Sequence, residues 1–252
     1  MAVHQPTDMK ISKVIAHSLT APVKIPYRNC CSGWIRKREA TLFEVRADNG
    51  ITGWDEGDAV PSLELIDTHV VGTNPCDHEV VYNGLSQNGL NASSVSGIDV
   101  ELWDLMGKAL GKPVCELLGG AQRTQVPTYA SGFFTREGVD HIADVAEKAR
   151  HCRDQGFQAI KLRTGFGPDQ DERIVAAARQ AIGPSSVIAV DANMGYDVPT
   201  AIDAGRRLEA YDLLWYEESI DAENVSGYFE IKQALHVPIA GAESLSGLRS
   251  FE

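Results

Sequence analysis

The chain has 252 residues and a formal net charge of −12 at pH 7, enough length for one large domain or two smaller ones with a sizeable core. The negative charge argues against nucleic acid or an anionic membrane surface as a partner. We expect neither a bilayer-spanning segment nor a secretory signal, because no apolar run has the required length and setting. Its five cysteines show no C-x-x-C spacing and are typical of reduced packing residues in a cytoplasmic protein.

The N-terminal part begins with patterns that favour β-strands. Residues 10–18 and 40–47 alternate apolar and polar side chains, which predicts half-buried strands. Asp48-Asn49-Gly50 then favours a hairpin turn, because Asn and Gly accept positive φ angles, and residues 51–54 form the return strand. The segment 19–33 has no clear period and predicts a long loop, so the chain should open with an antiparallel meander.

Helices should follow this meander. The pattern predicts helices over residues 61–71, 78–90 and 93–110. The third carries its apolar residues on one stripe, as a helix packed against a core does. Gly111 should end it, and Pro113 follows in the order that is common after a helix.

From residue 124 onward, short apolar strands alternate with amphipathic helices. The predicted strands are 126–131, 159–163, 187–191, 213–217 and 238–242. The predicted helices between them are 138–153, 171–182, 197–208 and 224–235. This alternation indicates right-handed βαβ units on a parallel sheet. A complete eight-unit barrel needs about 250 residues on its own, so about five units predict an incomplete barrel.

Acidic residues recur at the ends of the later predicted strands. Asp191, Glu217 and Glu243 are evenly spaced along the chain. The carboxyl ends of parallel barrel strands meet at one mouth, where active sites lie. Converging carboxylates would repel one another unless a cation lay between them, and oxygen ligands of this kind suit Mg²⁺. The alternative for each acid is a salt bridge at the surface.

Two cations share one face of the strand at residues 159–163. Lys161 and Arg163 are two residues apart, so both side chains should point the same way. Lys161 is expected to contact a substrate carboxylate and to lower the pKa of its neighbour; the alternative is an interior lysine paired with an acid. Because a guanidinium stays protonated at pH 7, Arg163 is a better binding and electrostatic group than a base.

Further candidates lie close to these positions. Asn193 follows Asp191 and would either hydrogen-bond a substrate or have an ordinary loop role. Glu218 would orient a metal ligand or pair with Lys161. The segment around residues 19–33, with the candidate substrate-binding residues Tyr27, Arg28 and Trp34, would either fold over the barrel mouth or form an ordinary surface loop.

Taken together, several motifs resemble the enolase superfamily, in its mandelate racemase and muconate lactonizing enzyme branch. They are SGIDVELWDLMGKALGKPVCELLGG over residues 96–120, K-x-R at Lys161 and Arg163, and the acids Asp191, Glu217 and Glu243. The resemblance implies an α+β capping domain over residues 1–123 and an α/β TIM-type barrel over residues 124–252, here C-terminally incomplete with about five βα units. It also implies that the three acids hold Mg²⁺.

The resemblance implies a reaction as well: Mg²⁺-dependent removal of the α-proton of a hydroxycarboxylate, a sugar acid, to give an enolate. An acid-sugar dehydratase is favoured, with a sugar-acid lactone cycloisomerase or a racemase as alternatives. A racemase fits less well, because Arg163 stands where the family often has a lysine base. In the family, a histidine base, its aspartate partner and a further acid come from the final strands, and none can be assigned here. We therefore expect residues 1–252 alone to be inactive.

An alternative of another class is a non-catalytic remnant that binds Mg²⁺ or serves in assembly. For the enzyme, the expected partner is a small-molecule carboxylate, with no nucleic acid and no membrane. A homo-oligomer in the cytoplasm is the expected form.

Overall fold

The computed structural model describes residues 8–57, 62–88, 90, 92–246 and 248–251. The first part opens with an antiparallel meander of β1 (Ile11–Arg28), β2 (Ile35–Ala47) and β3 (Thr52–Gly57). Helices follow at α1 (Leu63–His69), α2 (His78–Gln87), α3 (Ala92–Leu110) and α4 (Val114–Leu117), with a 3-10 turn at Pro75–Asp77. The predicted meander and helices are confirmed, except at residues 61 and 89 of two predicted helices, which lie outside the described residues.

The second part alternates strand and helix as predicted. Its strands are β4 (Ala130–Phe133), β5 (Thr135–Arg136), β6 (Ala159–Arg163), β7 (Val187–Asp191), β8 (Leu213–Glu217) and β9 (Ile239–Ala240). Its helices are α5 (His141–Asp154), α6 (Pro168–Ile182), α7 (Val198–Leu208) and α8 (Val225–Ala234), with 3-10 turns at Glu209–Tyr211 and Leu248–Phe251. The parallel sheet has the order β4-β6-β7-β8-β9, as expected for successive right-handed units of an incomplete barrel.

Strand β1 is longer than predicted, and the prediction of a loop over residues 19–28 was wrong. The strand pairs with β2 from Ile11 to Pro22, shifts register, and pairs again at Tyr27. Strand β5 pairs with β1 only at Tyr27 and Arg28, so the side of β1 that faces away from β2 has no partner strand at Pro22. A proline, which lacks a backbone N–H, is tolerated at such an edge. Cross-strand pairing, rather than local alternation, orders this segment.

Strand β5 joins the two parts of the chain. It follows β4 of the parallel sheet, yet it pairs with β1, so the first sheet has the order β3-β2-β1-β5. The backbone N–H of Glu137 donates to the carbonyl of Pro26 over 2.9 Å. Arg36 reaches the carboxylate of Glu137 with bonds of 2.9 and 2.6 Å. The boundary between residues 123 and 124 stays a prediction, because this shared sheet crosses it.

The parallel sheet is packed against its helices by a continuous apolar core. Ile160, Leu162, Val190 and Tyr216 on the strands are fully buried against residues of the surrounding helices. The first predicted strand of this sheet lies at Ala130–Phe133 instead of 126–131, since Val126 is exposed and only the later residues pair with β6. In the described part of the chain, no helix combines the length and apolarity needed to cross a bilayer.

Candidate metal centre

The three predicted acids converge at the carboxyl ends of the parallel strands. Asp191 ends β7 and is paired in register with Glu217 at the end of β8. Glu243 follows β9 after Ala242, which has a φ of 82°. One carboxylate oxygen from each acid lies within 4.8 Å of the others. The evenly spaced acids are therefore neighbours in space, as the strand pattern predicted.

Lys161 compensates the charge of this cluster. Its Nζ lies 2.8 Å from Glu217 Oε1 and 3.2 Å from Asp191 Oδ2, and its side chain is 9% exposed. Burial alone would lower the pKa of Lys161, but its hydrogen bond to Glu217 and the charges of Asp191 and Glu217 outweigh burial and raise that pKa. Lys161 is therefore a cation here.

Arg163 lies beside the cluster and is held from two sides. Its Nη1 donates to Asp191 Oδ2 and, over 3.2 Å, to Asn193 Oδ1. Its Cζ lies 4.8 Å from the centre of the Phe134 ring, and that ring packs against Tyr27 of β1 in a tilted arrangement, with the ring centres 4.7 Å apart. Because aromatic faces attract guanidinium groups, Phe134 links the capping sheet to Arg163. Tyr27 thus reaches the site through Phe134.

Asn193 and Glu218 are built into the strand ends. The backbone N–H of Asn193 donates to Asp191 Oδ1 over 2.9 Å, and its φ of 44° is one that Asn tolerates. Glu218 is 2% exposed and accepts the backbone N–H of Glu243 over 2.8 Å. This contact places Glu218 beside the candidate ligand Glu243, and the role of Glu218 in orienting a metal ligand stays a prediction.

Trp215 and Tyr129 also contact the site, although neither was singled out as a site residue from the sequence. Trp215 Nε1 donates to Glu217 Oε2 over 2.8 Å, and the Trp215 ring meets Tyr129 edge-on at 5.5 Å. The position of Trp215 two residues before Glu217 on one strand is a pattern that predicts a shared face. Tyr129 precedes its strand, so its proximity follows from tertiary packing alone.

A cavity of about 340 Å³ opens beside Glu243. Its capping-side wall consists of Asn29, Cys31 and Ser32, and its barrel-side wall of Asn193, Met194, Glu218, Glu243 and Ser244. The segment after β1 therefore does reach the barrel mouth. Arg28 instead stacks on Trp34 at 5.1 Å.

A larger cavity, of about 590 Å³, lies at the opposite end of the sheet. Phe157, Val187 and Leu214 are among its lining residues, none of which has a titratable side chain. This is the amino-terminal end of the strands, where conserved features of barrels serve stability instead of catalysis. The smaller cavity beside Glu243, which has carboxylate, amide and hydroxyl side chains in its walls, is therefore the better candidate for substrate.

The donor set suits Mg²⁺. All three candidate ligands are carboxylates, the hard oxygen donors that Mg²⁺ prefers. The oxygens of Asp191, Glu217 and Glu243 lie within 4.8 Å of one another, so the three side chains would close in on the ion when it binds. When an ion binds, Lys161 would give up part of its pairing with Asp191 and Glu217.

Comparison with known proteins agrees with both parts of this architecture. Residues 11–119 match the N-terminal domain of the mandelate racemase / muconate lactonizing enzyme family. Residues 144–252 match the enolase C-terminal domain-like family. A crystal structure of an enolase superfamily member from Polaromonas sp. JS666 has a TM-score of 0.83 at 30% identity, over 96% of this chain and 68% of that one.

Two curated relatives have names that refer to sugar acids or their lactones. D-galactarolactone cycloisomerase of Agrobacterium fabrum is 36% identical over 251 residues, which cover 95% of this chain and 66% of the relative. L-talarate/galactarate dehydratase of Salmonella typhimurium is 32% identical over 230 residues, which cover 84% of this chain and 56% of the relative. The chain thus spans between about half and two thirds of the length of these relatives. It belongs to the enolase superfamily, in the branch of mandelate racemase and muconate lactonizing enzyme.

Proposed function

We propose that the protein takes part in Mg²⁺-dependent removal of the α-proton from a sugar acid, which gives an enolate. The observation that carries this proposal is the convergence of Asp191, Glu217 and Glu243 within 4.8 Å at the carboxyl ends of parallel strands. The names of the two curated relatives, which both refer to galactaric acid or its lactone, support the substrate class.

The acids would hold the ion and the cations would hold the substrate. A Mg²⁺ ion bound by Asp191, Glu217 and Glu243 would supply positive charge where negative charge grows as the α-proton leaves. Lys161, which is kept protonated by Glu217 and Asp191, would contact the substrate carboxylate. We assign binding and orientation to Arg163, because a guanidinium does not accept a proton near neutral pH.

The cavity beside Glu243 suits a polyhydroxylated acid. Asn29, Ser32 and Ser244 offer amide and hydroxyl groups along its walls. The side-chain oxygen of Asn193 accepts a hydrogen bond from Arg163. The amide nitrogen of Asn193 can therefore donate to a substrate hydroxyl. Tyr27, Arg28 and Trp34 would shape the capping side of the site around this wall.

Two outcomes of the same first step remain candidates. Dehydration follows if the base returns the proton it took from the α-carbon to the β-hydroxyl group, which then leaves as water; this is the outcome that the motifs favour. Lactone cycloisomerisation is the second candidate, because the 36% identity to D-galactarolactone cycloisomerase extends over 95% of this chain. Racemisation needs a proton-transfer group on each face of the substrate, which Arg163 disfavours.

The test measures Mg²⁺ binding first and identifies the reaction product second. Mg²⁺ binding is measured by calorimetry. Because residues 1–252 alone are expected to be inactive, the reaction is assayed with a fusion that adds the final barrel strands of a relative; galactarate and galactarolactone are incubated with this fusion and Mg²⁺ in D₂O and followed by NMR. A keto-deoxy acid indicates dehydration, ring opening without loss of water indicates cycloisomerisation, and exchange of epimers alone indicates racemisation. Glu217→Gln is the control variant, in which both ion binding and α-deuteration should be lost.

Two other outcomes would change the conclusion. If Mg²⁺ binds but no α-deuterium is incorporated, the chain is a non-catalytic remnant, the alternative of another class. If the unmodified protein binds no Mg²⁺ at millimolar concentrations, the metal centre itself is refuted.

The cellular setting and assembly are also proposals. All five cysteines are free thiols, which suits the reducing cytoplasm. We propose a cytoplasmic homo-oligomer, and light scattering on the purified protein at several concentrations measures its molar mass directly.

A further inference from the structure

Cys30 connects the capping part of the chain to the barrel mouth. Its S–H donates to the carbonyl of Ala192 over 3.0 Å, although the two residues are 162 positions apart in sequence. Ala192 lies between the candidate ligand Asp191 and the candidate substrate residue Asn193. A thiol is a weak donor on a large, polarizable atom, so packing around the sulfur contributes together with the hydrogen bond.

Two glycines make room for this sulfur. A Cβ added at Gly165 would lie 2.6 Å from Cys30 Sγ, and one added at Gly195 would lie 3.1 Å from it. Glycine is required where another group approaches the backbone so closely. We call Gly165, Ala192 and Gly195 the glycine socket; it is formed by the segments that follow β6 and β7.

Hydrogen bonds to one buried carboxylate hold the glycine socket in place. Asp171, which is fully buried in the first turn of α6, accepts the backbone N–H of Gly165 over 2.8 Å and the hydroxyl hydrogen of Tyr196. Tyr196 comes directly after Gly195, so one carboxylate fixes both segments of the socket. Charge-assisted bonds of this kind are among the stronger hydrogen bonds in proteins.

The residues around Cys30 form a short ordered loop. Asn29 Oδ1 accepts the backbone N–H groups of Cys31 and Ser32, and Ser32 Oγ accepts the N–H of Asn29 over 3.1 Å. We call residues 29–32 the Cys30 loop. Three of its members, Asn29, Cys31 and Ser32, line the cavity beside Glu243, whereas Cys30 points into the socket.

We infer that Cys30 is a positioning residue: its thiol anchors the Cys30 loop in the glycine socket and thereby sets the capping-side wall of the substrate cavity at its distance from Glu243. Because the loop is internally ordered, release of this one side chain would displace Asn29, Cys31 and Ser32 together. The effect on substrate rests on the proposed function, whereas the anchoring does not.

The anchoring is tested by thiol labelling. In a protein with Cys31, Cys76, Cys115 and Cys152 changed to Ser, only Cys30 can react with 5,5′-dithiobis(2-nitrobenzoate). Burial raises the pKa of Cys30 to about 12, so a docked thiol should react slowly. Gly195→Ala crowds the socket and should increase the labelling rate about fivefold or more. Gly33→Ala is the matched control, because a Cβ at Gly33 meets nothing within 4 Å.

A second variant allows the same test if Gly195→Ala does not fold. Tyr196→Phe removes a brace of the socket without adding an atom, and it should also accelerate labelling of Cys30. If either folded variant labels at the same rate as the Gly33→Ala protein, the anchor is refuted.

The consequence for the cavity is tested by binding. In calorimetry, Cys30→Ala should weaken galactarate binding in the presence of Mg²⁺ about tenfold, while the affinity for Mg²⁺ alone changes less than about twofold. Cys30→Ser, which keeps a donor for Ala192, should recover part of the loss. Cys115→Ala, at an exposed cysteine, should alter neither affinity.

The two hypotheses fail in different ways. Unchanged galactarate binding in Cys30→Ala, or an equal loss of Mg²⁺ binding, would overturn the positioning role. A protein that binds neither Mg²⁺ nor galactarate would overturn the proposed function, and the labelling rates would then still decide whether Cys30 is the anchor.

Discussion

The ammonium group of Lys161 lies 2.8 Å from Glu217 Oε1, on the side of Glu217 that faces Asp191. The protein therefore places one of its own cations against two of the carboxylates that would hold a divalent ion. Without an ion, this pairing stabilises acids that would otherwise repel one another. With an ion bound, the same ammonium group is already next to the place where a substrate carboxylate would lie.

Replacement of Lys161 should make the fold depend on Mg²⁺. In Lys161→Met, Asp191 and Glu217 lose a buried partner, which should lower the free energy of unfolding without Mg²⁺ by about 3 kcal/mol. For a chain of this length, that corresponds to a decrease in Tm of roughly 8 °C. Added Mg²⁺ should then raise the Tm of the variant more than that of the unmodified protein, because the ion replaces the missing charge. Thermal unfolding with and without 10 mM MgCl₂ measures both effects.

Lys148→Met provides a control for this experiment. Lys148 pairs with the buried Asp144 at 3.0 Å, away from the acid cluster. Its replacement should lower the Tm to some degree but leave the response to Mg²⁺ unchanged. Equal Mg²⁺ responses in the two variants would contradict the assignment of Lys161 to the metal centre.

Glu218 should control metal affinity without binding the ion. Its carboxylate accepts the backbone N–H of Glu243 over 2.8 Å, and groups that orient metal ligands typically contribute factors of about 10 to 100 in affinity. Glu218→Ala should therefore weaken Mg²⁺ binding about tenfold or more, as measured by calorimetry. Glu218→Gln keeps an oxygen acceptor for Glu243 and should retain most of the affinity. If both variants bind Mg²⁺ equally well, Glu218 does not position Glu243.

The buried acid Glu101 should make stability depend on pH. It is completely buried on α3, and neither of its carboxylate oxygens has a hydrogen-bond partner among the described residues. Burial raises the pKa of Glu101 to about 9. Between its ordinary pKa of about 4.5 and this value, the folded state keeps a proton that the unfolded state has lost. Stability from this group is therefore complete below about pH 4.5 and decreases as the pH rises towards 9.

Glu101→Gln removes this dependence while it keeps the shape of the protonated acid. The variant should have a higher Tm than the unmodified protein, by a margin that grows between pH 5 and pH 8. Thermal unfolding at several pH values measures the margin. Glu230→Gln, at an exposed position on α8, is the control and should show almost no margin at any pH. A constant margin for Glu101→Gln would mean that Glu101 is ionised in the folded protein.

Sequence patterns predicted β6, β7 and β8 at their observed bounds, because each is a short apolar run between helices. Parallel strands bring their carboxyl ends to one edge, so the positions of Asp191, Glu217 and Glu243 in sequence were sufficient to predict their convergence. Glu101 could have been recognised too, since it lies between Ile98 and Leu105 on the apolar stripe of α3. An acid on such a stripe must be buried or must displace the helix.

Other features depend on contacts between distant parts of the chain, and no local sequence pattern predicts them. The second half of β1 is ordered by pairing with β2, although its own residues do not alternate. Cys30 has no distinguishing neighbour in sequence, and its contact with Ala192 exists only because β5 brings the capping sheet to the barrel mouth. Glu218 is equally ambiguous in sequence, because its partner is a backbone N–H of another strand end.

Arg163→Lys should alter the stereochemistry of the proposed reaction. A lysine amine next to the cation Lys161 can lose its proton near neutral pH, which the guanidinium of Arg163 cannot do. The variant would therefore hold a second proton-transfer group on the β6 side of the substrate. In a fusion that completes residues 1–252 with the final barrel strands of a relative, which supply the first base, galactarate and Mg²⁺ in D₂O should give deuterated epimer in addition to the product of the fusion that keeps Arg163. Arg163→Met is the matched control, since it removes the guanidinium without adding an amine, and it should give no epimer. If Arg163→Lys and Arg163→Met give the same products, the side chain at this position does not reach the α-carbon, and its role is confined to orienting Asp191 and Asn193.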